Sequence, residues 1–136
     1  MDTNLMLDFL SPWSPYHLSF EDDGKVAYAY LKNDSGIVGD VWLYNRCAPP
    51  AVTEWKDKTN IPFANCVGYV AEDGVMRRQV RHGDVIVDWE SNEDGPVAYV
   101  YVFEDLYAVV GVGDKPGCAR FAAKDGPLAL VMEIED

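Results

Sequence analysis

The sequence predicts an all-β domain: an antiparallel meander of about nine or ten strands, folded as a sandwich or a barrel, with at most one or two short helices. Two observations carry that expectation. Asp-Gly pairs stand at Asp23-Gly24, Asp73-Gly74, Asp94-Gly95 and Asp125-Gly126, each between runs of β-branched and aromatic residues. Glycine enters positive φ freely and Asp tolerates it, so Asp-Gly favours hairpin turns. The second observation is the shortness of the runs between turns, which suits strands rather than helices.

Residues 5–10 (Leu-Met-Leu-Asp-Phe-Leu) read as a short helix or an extended arm, and residues 1–15 form an N-terminal arm on either reading. Ser11-Pro12 and Ser14-Pro15 then end any helix, because proline disfavours the α region for the residue before it. Strands are expected over 16–20, 25–32 and 37–44, with turns at Glu21-Asp22-Asp23-Gly24 and Asn33-Asp34-Ser35-Gly36. Segment 45–65 reads as a long loop containing Pro49, Pro50 and Pro62, with Pro50 placed to open a short helix over 51–58. Loops of that length are often functional. Trp55 within it is a candidate partner anchor or a lid over one end of the core.

Further strands are expected over 66–72, 75–82, 85–89, 97–104 and 106–112, the last two joined at Glu104-Asp105 without glycine. Strands over 118–123 and 128–134 complete the meander. Alternate residues of a strand face opposite ways, so Leu128, Leu130, Met132 and Ile134 share one face, opposite Glu133 and Glu135. In 97–103 both faces are apolar: Val97, Tyr99, Tyr101 and Phe103 on one, Ala98, Val100 and Val102 on the other. Both are therefore expected to be covered. Tyr28 and Tyr30 form a second aromatic row, backed by Ala27, Ala29 and Leu31. The two rows make Tyr28, Tyr30, Tyr99 and Tyr101 candidate ligand-binding residues, if a barrel encloses them; otherwise they are core.

The chain has 136 residues, 49% of them hydrophobic, enough for one domain spanning 1–136 around a single core. Its 23 acidic and 11 basic side chains give a net charge of −12. That field repels nucleic acid and anionic membranes and favours a basic protein partner. Met76-Arg77-Arg78-Gln79-Val80-Arg81-His82 is the one basic stretch, read as an exposed strand pairing with acidic neighbours. Cys47, Cys66 and Cys118 form no disulfide or zinc pattern. The start of the sequence lacks the features of a signal peptide, and no apolar run approaches the ~20 residues of a membrane span. The expected location is the cytoplasm.

Catalytic constellations are sparse. A hairpin at Asp73-Gly74 would bring Cys66 near His82 as a dyad, but an inert buried cysteine is the simpler reading. No nucleophile elbow, phosphate loop or H-E-x-x-H is present. The acidic clusters Glu21-Asp22-Asp23 and 90–94 lack the spacing of a calcium loop. We therefore assign no catalytic residue, metal or cofactor. Glu21, Asp22, Asp23, Glu93 and Asp94, with Trp55, remain as candidate partner-binding residues at the turns.

Phe20-Glu21-Asp22-Asp23-Gly24, Tyr28 and Tyr30, and Val41-Trp42-Leu43-Tyr44-Asn45 resemble a bacterial domain-of-unknown-function family of small proteins. That family has an F-E-D-D-G turn, an aromatic strand and a strand ending in Tyr-Asn. Val87-Asp88-Trp89, Asp94-Gly95 and Tyr107-Ala108-Val109 are similar to its later strands, while the segment after Asn45 and the ending after Gly117 depart from it. The resemblance implies a bacterial cytoplasmic protein and assigns no activity.

The leading expectation is a non-enzymatic protein-binding module, for example an immunity-type inhibitor of a basic partner. The alternatives are a β-barrel binding a small aromatic or apolar ligand, and a hydrolase or isomerase using acidic residues with His82.

Overall fold

A computed structural model describes residues 5–47, 65, 68–71, 74–126 and 128–132. Trp55, Cys66 and the helix expected over 51–58 lie outside them. The described chain forms two packed sheets and does not close into a barrel. Strands β1 (Leu5–Leu10), β2 (His17–Asp22), β3 (Val26–Asn33) and β4 (Gly36–Asn45) make a four-stranded antiparallel meander. Strands β5 (Val85–Asn92), β6 (Gly95–Val102), β7 (Asp105–Gly111), β8 (Cys118–Ala119) and β9 (Leu130–Val131) make the second sheet in that order. Only its last pair, β8 with β9, is parallel.

Residues 5–10 are an edge strand, neither helix nor free arm. Leu5, Leu7 and Phe9 turn toward the core opposite Asp22, Phe20 and Leu18 of β2, while Met6 and Leu10 stay exposed. The inward alternation decides the conformation: period two buries one side of the segment, which a helix of six residues would not.

The core lies between the sheets. From the first come Leu18, Phe20, Ala29, Leu31 and Val41, and from the second Ala98, Val100, Val102, Ala108 and Val110, all at 0% exposure. Gly39 permits the close approach: a Cβ there would stand 2.6 Å from the Gly111 carbonyl oxygen. The free edge of β4 is satisfied by loop backbone. Gly113 N–H donates to Val38 O, Asp40 N–H to Asp114 O, Gly117 N–H to Asp40 O and Trp42 N–H to Leu128 O. These bonds join the two sheets along one side.

Where β3 meets β4 the first sheet is enclosed on its outer side as well, although β1 leaves Met6 and Leu10 open. Val26, Trp42 and Asn45 point away from the core yet are fully buried, with Asn65 and Leu128 against them. β6 is not. Its inner residues are buried, but Val97, Tyr99 and Tyr101 on the outer side are only half-buried. The expectation that both of its faces are covered fails there.

Two Asp-Gly pairs make the hairpins their chemistry predicts. Gly24 and Gly95 sit at φ 88° and 133°, between β2 and β3 and between β5 and β6. Among the described residues, 68–71 and 75–82 do not pair as the hairpin expected there. Val70 pairs with Ala122 and Val75 with Asn45, so the two flanks of that turn find different partners. Residues 75–82 form a loop, followed by a 3₁₀ turn at His82–Asp84. Asp125 also makes no hairpin; its carboxylate instead accepts a hydrogen bond from Val131 N–H at 2.8 Å.

Beneath the loop lies a buried polar network. Asp22 Oδ2 accepts from Arg46 Nε and from the Tyr44 hydroxyl, both at 2.7 Å, and its other oxygen accepts from Gly24 N–H. Asp22 is 1% exposed, so it is not a surface contact residue. A carboxylate this deep persists because a cation and two further donors meet it.

Candidate functional site

The outward face of the five-stranded sheet is the most distinctive open surface among the described residues. Register places Ile86 beside Tyr101 and Asp88 beside Tyr99. On the other flank Leu106 opposes Tyr101 and Val109 opposes Tyr99, while Cys118 opposes Val109 and Leu130 opposes Cys118. Ile86 is 56% exposed and Leu130 40%. β-Branched and aromatic residues form the strands, and their alternation leaves a second apolar set facing outward.

This surface is acidic at its margins. Residues 85–111 contain Asp88, Glu90, Glu93, Asp94, Glu104 and Asp105 and no Lys, Arg or His. The Tyr99 hydroxyl donates to Glu90 Oε2 at 3.3 Å, which fixes that ring along the sheet. Burial first, and then the Glu90 carboxylate, push the Tyr99 hydroxyl above its ordinary range. Glu93 and Asp94 are exposed at the tip of the same hairpin.

The structure separates several residues that the sequence grouped. Tyr28 and Tyr30 stack at 5.8 Å with 6° between planes, on the outer side of the first sheet. Tyr99 and Tyr101 lie on the outer side of the second. The two rows point away from a shared core, so the four rings do not line one cavity. Burial leads in holding the Tyr28 and Tyr30 hydroxyls up, Tyr30 at about 12.

The acidic turns divide likewise. Asp23 caps its own turn, accepting from Lys25 and Val26 N–H at 2.9 and 3.0 Å. Glu21 pairs with Lys32 at 3.8 Å. Gly95, next to Glu93-Asp94, lies against the Tyr16 hydroxyl, beyond the start of β2. Asp23 follows the other end of that strand, which at six residues is about 20 Å away. Glu21 and Asp23 therefore do not share a patch with Glu93 and Asp94.

Nucleophile chemistry finds no assembled set among the described residues. Burial raises the Cys118 thiol, and Sγ donates to Val109 O at 3.9 Å, so it stays neutral. The dyad expected of Cys66 and His82 falls outside the described residues, which do not include Cys66. Asp8, Ser19 and His17 share the outer side of β1 and β2, but the Ser19 hydroxyl donates to Asp8 Oδ1 at 2.7 Å rather than to imidazole. His17 Nε2 stands 4.0 Å from the same oxygen. No base activates the serine. Among the described residues no group of three His, Cys, Asp or Glu is placed to hold a metal ion, and no helix is long and apolar enough to cross a membrane.

The open face was only partly visible in sequence. The sequence singles out Tyr99, Tyr101, Glu93 and Asp94 for separate roles and Glu90 only within an acidic cluster, and it gives Ile86, Asp88 and Val109 no role. The absence of any basic residue across 85–111 was the available signal. In comparisons with known proteins, no family model matches the chain, and neither a curated protein nor a solved structure matches it.

Proposed function

We propose that this chain is a non-enzymatic binding module that docks a basic protein partner on the outward face of its five-stranded sheet. One observation carries the reading: an open aromatic and aliphatic surface, bounded by six carboxylates, in a stretch without a single cation. Tyrosine suits such a role because it combines a large apolar ring with a hydroxyl and loses little rotamer entropy on binding. The carboxylates add attraction at a distance and repel acidic competitors.

Size bears on how the partner sits. Three strands of seven or eight residues (about 25 Å) and two of two residues, at ~4.8 Å spacing, give on the order of 400 Å². A standard interface takes about 800 Å² from each partner. The partner must therefore also engage a hairpin tip, and Glu93-Asp94 supplies an acidic one.

The test is affinity capture from the source cell, with wild-type chain and a Tyr99→Arg/Tyr101→Arg double variant as parallel baits. The expected result is a partner of net positive charge, retained by wild type, lost by the double variant and released progressively between about 0.05 and 0.5 M salt. A partner retained equally by both baits, or indifferent to salt, would overturn the reading.

A further inference from the structure

The end of the sandwich at which β5 begins carries a concentration of positive charge that the binding face does not use. Arg77, Arg78, Gln79, Arg81 and His82 are exposed on the loop entering β5. Arg46 is neutralised by Asp22, and Lys32 faces Glu21. Among the described residues no ion pair ties Arg77, Arg78 or Arg81. In a chain of net charge −12, three guanidinium groups without counter-ions are unusual.

The loop that bears them is firmly held. Met76 and Val80 are buried beneath it at 9% and 4% exposure. Arg46 Nη1 donates to the carbonyls of Met76 and Arg78 at 3.3 and 3.2 Å, and Met76 N–H donates to Asn45 O at 2.7 Å. Arg81 N–H donates to Asp84 Oδ2, and Asp84 N–H returns a bond to Arg81 O, both at 2.9 Å. One Asp84 oxygen is thus committed to backbone. The Arg78 guanidinium lies 3.9 Å from the centre of the Phe103 ring. Phe103 itself is held at φ 52°, with its N–H donating to Asp84 O at 3.0 Å. The two-residue β6–β7 hairpin demands positive φ at Phe103 and Glu104, and it fixes the direction of the Phe103 ring.

Two adjoining depressions of about 350 and 370 Å³ meet at Arg78 and Asp84. The first is lined by Arg78, Gln79, Arg81 and Asp84. The second continues past Phe103, Ile86 and Glu104. The first presents two guanidinium forks, an amide and the Asp84 carboxylate, one oxygen of which is held by backbone; the second adds an aromatic ring, an aliphatic side chain and the Glu104 carboxylate.

From this geometry we propose a binding site for a small phosphate monoester. Arg78 and Arg81 hold the phosphate, Gln79 donates to it, and the organic portion lies toward Phe103 and Ile86. Two planar forks match the three terminal oxygens of a phosphate and outweigh the Asp84 charge beside them, whereas a ligand carboxylate would leave a guanidinium unanswered. Glu104 on the far side disfavours a second anionic group on the ligand. A polyanion such as nucleic acid is disfavoured too, because it extends beyond a Debye length of about 10 Å into the acidic body. The site borders the partner face proposed above and shares Ile86 and Glu104 with it, but it rests on the arginines rather than on that reading.

The test is a ¹H–¹⁵N titration of the full chain with phenyl phosphate, inorganic phosphate and phenylacetate. Phenyl phosphate is expected to give saturable shifts confined to residues 77–86 and 102–105. Inorganic phosphate shifts the same residues more weakly, and phenylacetate binds at least about tenfold more weakly than phenyl phosphate. Arg81→Gln and Arg78→Gln each weaken phenyl phosphate about tenfold or more, while Lys115→Gln, outside both depressions, leaves it unchanged. The spectrum itself reports whether each variant is folded, and Arg81→Gln suffices if Arg78→Gln is not. Absence of saturable shifts, equal affinity for phenylacetate, or indifference to Arg81→Gln would overturn the site. Equal affinity for inorganic and phenyl phosphate would overturn the role of Phe103 and Ile86.

Discussion

The Arg46 Nε and Asp22 Oδ2 atoms stand 2.7 Å apart with the carboxylate 1% and the guanidinium 13% exposed, the most enclosed ion pair among the described residues. It joins the β2–β3 turn to the basic loop, since the same guanidinium reaches the Met76 and Arg78 carbonyls. Asp22→Asn keeps a partner for the Tyr44 hydroxyl but leaves Arg46 without its counter-charge. Breaking a buried pair from one side costs about 3–5 kcal/mol, and the partial exposure of Arg46 points to the lower end. Urea denaturation should show the midpoint falling with the slope unchanged. A loss under about 1 kcal/mol would mean the pair is solvated.

The β6–β7 hairpin turns on Phe103 and Glu104, both at positive φ, 52° and 72°. Each residue in that conformation is strained by about 1–2 kcal/mol without glycine's freedom. Glu104→Gly relieves the strain but raises the entropy of the unfolded chain by about 0.4–1 kcal/mol. A net gain of about 0.5–1 kcal/mol follows, visible as a higher melting temperature. Phe103→Gly should have the opposite sign, because it removes the ring on which Arg78 rests. If both substitutions destabilise equally, backbone strain is not the dominant quantity at this turn.

Alkaline pH should unfold the protein through its tyrosines. Burial raises Tyr28 and Tyr44 well above their ordinary value of 10.0, with Tyr30 and Asp22 as the next causes respectively; burial also leads in lifting Tyr30 to about 12. A raised folded value means that the unfolded chain gives up its phenolic proton first. The stability contribution is therefore intact below pH 10 and is lost as pH rises from 10 toward 12 and beyond. Phenolate absorbance followed beside circular dichroism should show a late set of tyrosines ionising only together with unfolding. Complete ionisation with the fold intact would contradict their burial.

The seam between the sheets depends on Gly39. A methyl group there meets the Gly111 carbonyl oxygen at 2.6 Å and the Val110 side chain at 2.9 Å, and backbone cannot yield as a side chain does. Gly39→Ala should destabilise by about 2 kcal/mol through overpacking. Gly36→Ala is a different case: no atom lies within 4 Å, but its φ of 112° makes any side chain strained. Chemical denaturation of both variants separates crowding from conformational strain. Equal tolerance of Gly39→Ala and a substitution on an exposed strand position would refute the tight seam.

What the sequence revealed follows from how local each feature is. The Asp23-Gly24 and Asp94-Gly95 turns were legible because their flanking strands pair with each other. The same dipeptide at 73–74 misled, because Val70 and Val75 pair with Ala122 and Asn45 respectively. Turn chemistry says that the chain reverses, not which partner its flanks will find. Asp22 and Asp23 were indistinguishable as a surface pair. Arg46 and Tyr44, distant in sequence, hold one in the interior, while the other stays at the turn. The edge strand at 5–10 was obscured by the apolar Met6 and Leu10 on its exposed side. The open sheet face was hidden for a related reason: period two reports two apolar faces but not which one another layer will cover.

Asn45 places the strongest demand on polar satisfaction. It is fully buried, and its Oδ1 accepts from both Trp42 Nε1 and Asn65 N–H at 2.9 Å. Its Nδ2 donates to Asn65 O at 2.8 Å, while its own backbone bonds Gly74 O and Met76 N–H. Asn45→Ala would leave the indole N–H and both Asn65 backbone groups without these partners. Each unsatisfied buried group costs about 1–3 kcal/mol and the losses are not additive, so about 3–4 kcal/mol is expected. Asn33→Ala is the matched control, since Asn33 only caps an exposed turn through Ser35 N–H at 2.8 Å. It should cost about 1 kcal/mol or less. Asn45→Asp keeps the acceptor but loses a donor and adds charge to a buried site, so it should not restore stability. If urea midpoints place Asn45→Ala level with Asn33→Ala, the buried amide does not hold Asn65 against the sheet.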